Sequence, residues 1–196
     1  RLDRAVKGAI EHGFKIQLSA ADVIEAPSDL EKYGKIVQRL MMHLTRGWGD
    51  GFKLTREEIR LILYANEPDL DLGGRGSPFW RGKLTDFNKT YAAFARAVKA
   101  VDKNLAVGGP CYAVPLDDRG DVRGYVREFL DSVQGNKVPL DYFSWHHYDG
   151  PPAELGRTAK TIRAELAKSP ALSPLYGTPR QANDEWNLTL GYRLGS

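Results

Sequence analysis

Two acidic residues stand in short polar motifs, each placed where a predicted strand ends. Glu67 belongs to the sequence Asn-Glu-Pro-Asp at 66–69, and Glu185 belongs to Asp-Glu-Trp-Asn at 184–187. Two carboxyl groups about 5–5.5 Å apart are sufficient to hydrolyse a glycosidic bond with retention, because one protonates the leaving oxygen and the other attacks the ring carbon. The two acids must face one sugar from different environments, which requires rigid supports such as strand ends. Glu67 and Glu185 are therefore the candidate catalytic pair.

A third polar cluster follows another predicted strand and consists of His146, His147 and Tyr148. Neighbouring residues on a strand face opposite sides, so one histidine is expected to face the acids and the other the helix layer. Adjacent histidines also suggest zinc, but no third ligand stands at a clear spacing, so we predict no metal. Carboxylates and water are enough for the chemistry, and no cofactor is expected.

Helical and strand patterns alternate along the chain. Apolar residues recur at helical spacing in five segments, 2–10, 30–44, 85–101, 122–133 and 153–168. Short runs of β-formers lie between them at 14–19, 59–65, 105–107 and 140–145 and just before 183, and glycine and proline at 108–110 predict a turn. Alternating strands and helices predict a mostly parallel sheet covered by helices, in which strands are short apolar runs.

Two parallel architectures fit this order, an open doubly wound sheet and a (β/α)8 barrel. The glycine-rich stretch 73–76 lacks the spacing of a nucleotide-binding turn. Polar clusters at the ends of strands are typical of the barrel, whose active sites lie at that edge. A complete barrel has eight strands and about 250 residues. We therefore predict an α/β partial (β/α)8 TIM barrel with about five βα units, corresponding to strands 3–7 of eight.

The organisation expected for residues 1–196 is a single incomplete catalytic barrel domain without an internal linker. The chain begins at Arg1 inside a helical pattern and stops at Ser196 soon after a predicted strand, so both ends are expected to cut through a larger domain. Unpaired parallel edges favour aggregation. We accordingly expect the chain by itself to be poorly stable or inactive.

Composition excludes some partners. The net charge is +3, from 28 basic and 25 acidic residues that form no long runs of one sign, which gives no reason to expect nucleic acid. No apolar run approaches the roughly 18–20 residues of a membrane span. The single cysteine, Cys111, excludes an internal disulfide and is expected to be a buried small residue. Oligomeric state and compartment (secreted, periplasmic or cytoplasmic) stay open.

The two acidic motifs together resemble those of clan A glycoside hydrolases, and the closer similarity is to glycoside hydrolase family 39. Four further stretches, in the same order as in the family, carry the resemblance: 79–82 (Phe-Trp-Arg-Gly), 97–102 (Ala-Val-Lys-Ala-Val-Asp), 105–110 (Leu-Ala-Val-Gly-Gly-Pro) and 139–148 (Pro-Leu-Asp-Tyr-Phe-Ser-Trp-His-His-Tyr). The similarity covers nearly the whole chain. The set is specific, whereas Asn-Glu-Pro alone is a weak signal.

The resemblance implies a role for each acid. Glu67 would protonate the departing group and then activate water, while Glu185 would form the covalent glycosyl intermediate. Asn66 would hydrogen-bond the sugar 2-hydroxyl, a contact that strengthens in the transition state. The substrate would be a carbohydrate, cleaved by an enzyme of the β-xylosidase or α-L-iduronidase kind.

Aromatic and histidine side chains would complete the sugar pocket. His146 matches a histidine that lines the family's pocket, and Tyr148 and Trp186 would shape its floor. Trp80 lies in the loop after the acid/base strand, and this position makes it the tryptophan best placed to touch ligand. Large aromatic residues are nevertheless more often packing residues.

Three alternatives remain at this point. The first is another clan A specificity, such as an arabinofuranosidase or an endoglycanase. The second is a non-catalytic carbohydrate-binding barrel, which the presence of both Glu67 and Glu185 disfavours. The third is a structural or interaction module, in which the polar clusters at strand ends would be accidental.

Overall fold

The computed structural model describes residues 2–20, 23–70, 79–148 and 150–187. The glycine-rich stretch 73–76 lies outside them. Five helices and five strands alternate as predicted, and their bounds are α1 (Leu2–Glu11), β1 (Ile16–Ser19), α2 (Leu30–Arg46), β2 (Ile59–Leu63), α3 (Leu84–Val101), β3 (Val107–Tyr112), α4 (Gly124–Gly135), β4 (Tyr142–Tyr148), α5 (Pro152–Leu166) and β5 (Arg180–Asn187). A short 3-10 turn, Pro68–Leu70, follows β2.

The strands form one sheet in the order β1-β2-β3-β4-β5, and every neighbouring pair is parallel. Sequential strands joined by helices give a half-barrel, so the prediction of a partial (β/α)8 barrel is confirmed. The carboxyl ends of all five strands lie along one edge of the sheet. None of the helices within the described residues is long and apolar enough to cross a membrane.

Aromatic rings fill the layer between the sheet and helices α3 and α4. Tyr64 follows β2 directly, and its ring centroid is 5.2 Å from that of Phe94. The ring centroids of Tyr91 and Phe129 are 5.1 Å apart. All four side chains are completely buried. Because protein cores are close-packed, this cluster attaches the helices firmly behind β2 and β3 and thereby fixes the ends of those strands.

A buried ion pair holds the opposite edge of the sheet. Asp141 precedes β4, and its Oδ2 lies 2.5 Å from Lys99 Nζ of α3. The same carboxylate accepts hydrogen bonds from the Val107 amide at 3.0 Å and the Ser173 hydroxyl at 2.7 Å. A buried charge is tolerated when it is paired and hydrogen-bonded on every side. Asp141 therefore links a helix, two strands and the segment before β5 at the edge remote from the polar motifs.

The structure corrects one boundary. Residues 108–110 were expected to form a turn, but β3 continues through them to Tyr112. A Cβ at Gly108 would lie 2.7 Å from the Tyr142 carbonyl oxygen and 3.0 Å from Leu63 Cδ2. Glycine in a strand marks either a turn or a close approach of neighbouring groups. At Gly108 it marks a close approach, because both neighbouring strands contact this position.

This close approach predicts that a larger residue at position 108 destabilises the protein. We expect Gly108→Ala to lower the free energy of unfolding by about 2 kcal/mol, because the added methyl group overpacks the sheet. The matched control is Gly156→Ala on the exposed face of α5, where a Cβ meets nothing within 4 Å. The control should raise stability by about 0.5–1 kcal/mol through helix propensity. Urea denaturation of the natural protein containing this chain measures both, and an unchanged midpoint for Gly108→Ala would contradict the packing analysis.

Candidate active site

The imidazole ring of His146 lies among three carboxyl groups at the carboxyl ends of the strands. Its Nδ1 is 3.0 Å from Glu67 Oε1 and 3.4 Å from Glu185 Oε2. Its Nε2 is 3.7 Å from Asp184 Oδ2. One ring nitrogen and one oxygen from each of Glu67 and Glu185 lie within 4.8 Å of one another. The two candidate acids, far apart in the chain, therefore meet at one point.

A shift in strand register brings two consecutive acids to this point. Trp145 of β4 pairs with Asn183 of β5, but the next residue, His146, pairs with Glu185. Asp184 is thus an extra residue on β5. Such bulges redirect side chains and occur often beside active sites. The bulge explains why both Asp184 and Glu185 reach His146, although regular alternation would send them to opposite faces.

The backbone around Glu67 adopts conformations that are uncommon for residues other than glycine. Glu67 has φ 44°, Ala65 has φ 70° and Cys111 on β3 has φ 56°. Each costs on the order of 1–3 kcal/mol and persists only when the surroundings impose it. The Glu67 amide donates to the Cys111 carbonyl at 2.9 Å, and the Cys111 amide donates to Ser144 Oγ at 2.9 Å. These two hydrogen bonds therefore hold the strained backbone after β2 and in β3, and they fix the orientation of Glu67.

Asp69 fixes the turn behind Glu67. Its side chain is 8% exposed and accepts hydrogen bonds from the amides of Ala113 at 2.9 Å and Val114 at 2.7 Å. The Tyr125 hydroxyl on α4 donates a third at 3.1 Å. Burial raises the pKa of Asp69, while the two amide hydrogen bonds oppose this rise. The carboxylate joins the 3-10 turn to the loop that leads from β3 to α4.

Tyr148 contacts the other acid. Its hydroxyl donates a short hydrogen bond to Glu185 Oε1, and its ring lies edge-on to that of His146 with centroids 6.3 Å apart. Burial, and then the hydrogen bond to the Glu185 carboxylate, raise the pKa of Tyr148. The phenol is therefore neutral and serves as a donor. Asn66 is half-buried on the loop that carries Glu67.

His146 carries the positive charge of the cluster. Burial opposes protonation of the ring, but the neighbouring carboxyl groups of Asp184, Glu67 and Glu185 outweigh it and raise the pKa of His146 to about 9. The ring is thus an imidazolium at neutral pH. Glu67, His146 and Glu185 lie close enough together to hold a cation, but an imidazolium has no free lone pair for a metal. The prediction of a site without metal stays a prediction.

Three predicted positions lie away from the cluster. The position of Trp80 in a loop predicts contact with a ligand. Its side chain is only 1% exposed, however, and packs edge-on against Phe87 of α3 with ring centroids 5.3 Å apart. The hydrophobic core thus takes up the ring. Trp186 is 63% exposed and pairs in register with His147, so it lies on the other face of β5 from Glu185. His147 faces α5 beside Thr158, as strand alternation predicts for one of the two histidines.

Two residues of the site carry no separate prediction from the sequence. Asp184 and Asp69 belong to the acidic motifs, but spacing assigns neither of them a contact. A carboxylate beside a candidate catalytic acid is a weak signal, because most such residues are solvated. The contacts of Asp184 depend on the bulge, and those of Asp69 depend on the loop after β3, both of which arise from tertiary structure.

Fold and site together define the class of the protein: a (β/α)8-type sheet with a carboxylate pair at the carboxyl ends of its strands. The family model of glycosyl hydrolases family 39 matches residues 8–175. The chain belongs to glycosyl hydrolase family 39, as its motifs indicate.

Individual relatives agree with this assignment. A β-xylosidase of Caldicellulosiruptor saccharolyticus is 30% identical over 192 residues, covering 91% of this chain and 35% of the relative. A β-xylosidase of Geobacillus stearothermophilus is 27% identical over 168 residues, covering 75% of this chain and 30% of the relative. The chain thus spans about a third of the length of these curated relatives.

Solved structures show the same architecture. The crystal structure of a glucosidase from Croceicoccus marinus matches 96% of this chain and 37% of its own with a TM-score of 0.80 and 31% identity. A monomeric β-xylosidase from Caulobacter crescentus CB15 matches 96% of this chain and 41% of its own with a TM-score of 0.68 and 20% identity. The second likeness supports the fold alone.

The charge on His146 predicts a particular pH dependence of stability. Its folded-state pKa of about 9 lies above the ordinary histidine value of about 6.5. Its charge therefore stabilises the fold fully below about pH 6.5, and this contribution is lost as the pH rises through about 9. His146→Asn should lower the free energy of unfolding most at pH 6, and the difference from the wild type should shrink by about 1–3 kcal/mol by pH 10.

Urea titrations of both proteins at pH 6, 8 and 10 measure this difference. NMR titration of the ring, assigned by its absence from His146→Asn, provides a direct check. A constant stability difference across the series, or a ring that loses its proton near pH 6.5, would contradict the charged state derived from the cluster.

Proposed function

We propose that this chain carries the catalytic pair of a retaining O-glycosyl hydrolase, with Glu67 as acid/base and Glu185 as nucleophile. The observation that carries the proposal is the convergence of their carboxylate oxygens to within 4.8 Å beside His146. The two residues come from β2 and β5, with two strands between them, so no local constraint brings them together. Membership of family 39 supports the same chemistry.

The short separation favours retention over inversion. Retaining glycosidases hold their carboxyl groups about 5–5.5 Å apart, whereas inverting enzymes hold them about 6.5–9.5 Å apart to leave room for a water molecule between the base and the sugar. One oxygen of Glu67 and one of Glu185 lie within 4.8 Å of each other, which is closer to the retaining spacing. Direct attack by a carboxylate, followed by hydrolysis of the glycosyl-enzyme, is the mechanism that fits this spacing.

Neighbouring groups would assist each acid differently. Tyr148 donates a hydrogen bond to Glu185, which stabilises the carboxylate that attacks the anomeric carbon. His146 offers a positive charge to both acids and would limit their mutual repulsion. Glu67 would donate its proton to the departing oxygen in the first step and take a proton from water in the second. Asn66, beside Glu67, would hydrogen-bond the sugar 2-hydroxyl.

For the substrate we propose a β-linked pyranoside of the xylose or glucose type. Two curated relatives are β-xylosidases, and the structure of similar sequence is that of a glucosidase. Hydrolysis of 4-nitrophenyl β-D-xyloside and β-D-glucoside, with α-L-iduronide and α-L-arabinofuranoside for comparison, tests this choice. Turnover of the iduronide or arabinofuranoside alone would contradict it.

Removal of either acid should abolish most activity. We expect Glu67→Gln and Glu185→Gln to lower kcat on the xyloside by at least about 10³-fold, because each variant keeps the shape but loses the proton donor or the nucleophile. Glu57→Gln is the matched control, since Glu57 is exposed before β2 at the opposite edge of the sheet. Its kcat should equal that of the wild type. A Glu185→Gln protein with more than a tenth of the wild-type rate would refute the assignment.

Chemical rescue separates the two roles. In Glu185→Ala, azide should replace the missing nucleophile and give a glycosyl azide of inverted configuration. In Glu67→Ala, azide should instead attack the covalent intermediate and give the retained anomer. NMR of the products from 4-nitrophenyl β-D-xyloside distinguishes the anomers. An inverted product from Glu67→Ala would exchange the two roles.

A further inference from the structure

A groove of about 380 Å³ opens beside Glu67. Among the described residues, Glu67, His146 and Tyr148 line its inner end, whereas Glu185 does not line it. In the double displacement the acid/base faces the leaving group and the nucleophile faces the sugar carbon from the other side. If the proposed function holds, the departing group therefore occupies this groove.

One wall of the groove is apolar. It consists of Leu70 from the 3-10 turn and the four residues that follow β3, namely Ala113, Val114, Pro115 and Leu116. Val114 is 42% exposed, so its side chain is accessible to a ligand in the groove. His147 and Thr158 lie at the far end.

The backbone of this wall is already hydrogen-bonded within the protein. The amides of Ala113 and Val114 donate to Asp69. The Val114 carbonyl lies against the Tyr125 hydroxyl and shares its one proton with the Asp69 carboxylate. The carbonyls of Pro115 and Leu116, in turn, accept from the backbone and side chain of Arg123 at 3.0 and 2.9 Å. These five polar groups already have partners, and the side chains of the wall present only carbon.

Polar groups at the inner end bond one another, and Glu67 uses only its Oε1 in doing so, which leaves its other oxygen for the departing group. Glu67 bonds His146, and Tyr148 bonds Glu185. A sugar as leaving group would bring several hydroxyls against a wall that cannot replace their hydrogen bonds to water, and unpaired polar groups are strongly disfavoured. An alkyl or aryl group, in contrast, gains by leaving water for such a surface.

We infer that the groove between the 3-10 turn and the β3–α4 loop binds an apolar alcohol or phenol as the leaving group, so that the protein prefers glycosides of apolar aglycones to oligosaccharides. Asp69 and Tyr125 act as positioning residues, because they hold the wall in place. The inference rests on the proposed function for the assignment of the groove to the leaving group. Its apolar character rests on the side chains and hydrogen bonds of the wall alone.

The test compares two β-D-xylosides, hexyl and 2-(2-hydroxyethoxy)ethyl, whose leaving groups have the same number of non-hydrogen atoms. The electron-withdrawing ether oxygen makes the second alcohol the better leaving group, so leaving-group chemistry by itself would favour it. We expect kcat/KM in the natural protein containing this chain to be at least tenfold higher for the hexyl xyloside. Equal values, or a preference for the polar chain, would overturn the inference and leave the proposed function intact.

Variants locate the effect. Val114→Thr keeps the shape of the side chain and should reduce the hexyl preference about fivefold, whereas Val114→Ile should keep it. Ile36→Thr on α2, where Ile36 is 53% exposed, is the control and should leave the preference unchanged. A preference that Val114→Thr does not alter would overturn the assignment to this groove.

Binding separates the two proposals. Calorimetry with Glu185→Gln and the same two xylosides requires no turnover. Tighter binding of the hexyl xyloside, lost when Val114→Thr is added, would support the groove even if the wild type hydrolysed neither compound. Absence of hydrolysis by the wild type would by itself refute the proposed function. Equal binding of both compounds in the absence of turnover would overturn the inference as well.

Discussion

A single imidazolium among carboxylates is the interaction on which the site depends. Glu67, Asp184 and Glu185 would repel one another at the distances that the structure gives them, and isolated charges of one sign are costly in a partly buried place. The ring of His146, with two donor nitrogens, lies between them and is held by β4. Its charge allows the two acids to approach each other closely. Without this charge, the close approach of the acids would destabilise the fold.

The local irregularities of the sheet serve this arrangement. The bulge at Asp184 and the left-handed conformations of Glu67 and Cys111 both occur at the edge where the strands end. The remote edge is held by the buried pair of Lys99 and Asp141. A well-packed aromatic layer behind β2 and β3 compensates for the strain, as expected when a rigid scaffold carries a functional edge.

Errors in the sequence-based expectations have a common physical origin. Trp80 and Trp186 were placed in the pocket because of their positions in loops and motifs, yet one is in the core and the other is on the far face of β5. The glycine and proline at 108–110 predict a turn, but the strands on both sides of Gly108 approach it so closely that only glycine fits. In each case the deciding contact comes from a residue distant in the chain, which local patterns do not contain.

Local patterns in the chain are enough to predict the alternation of helices and strands, the parallel half-barrel and the two acidic motifs, because periodicity and strand ends are local properties. These patterns also place His146 at the same edge as the acids. Tertiary structure alone decided that Glu67 and Glu185 meet within 4.8 Å, that Asp184 joins them, and that Asp69 holds the apolar wall. Those facts depend on strand register and on loops that pack across the sheet edge, where small displacements separate contact from its absence.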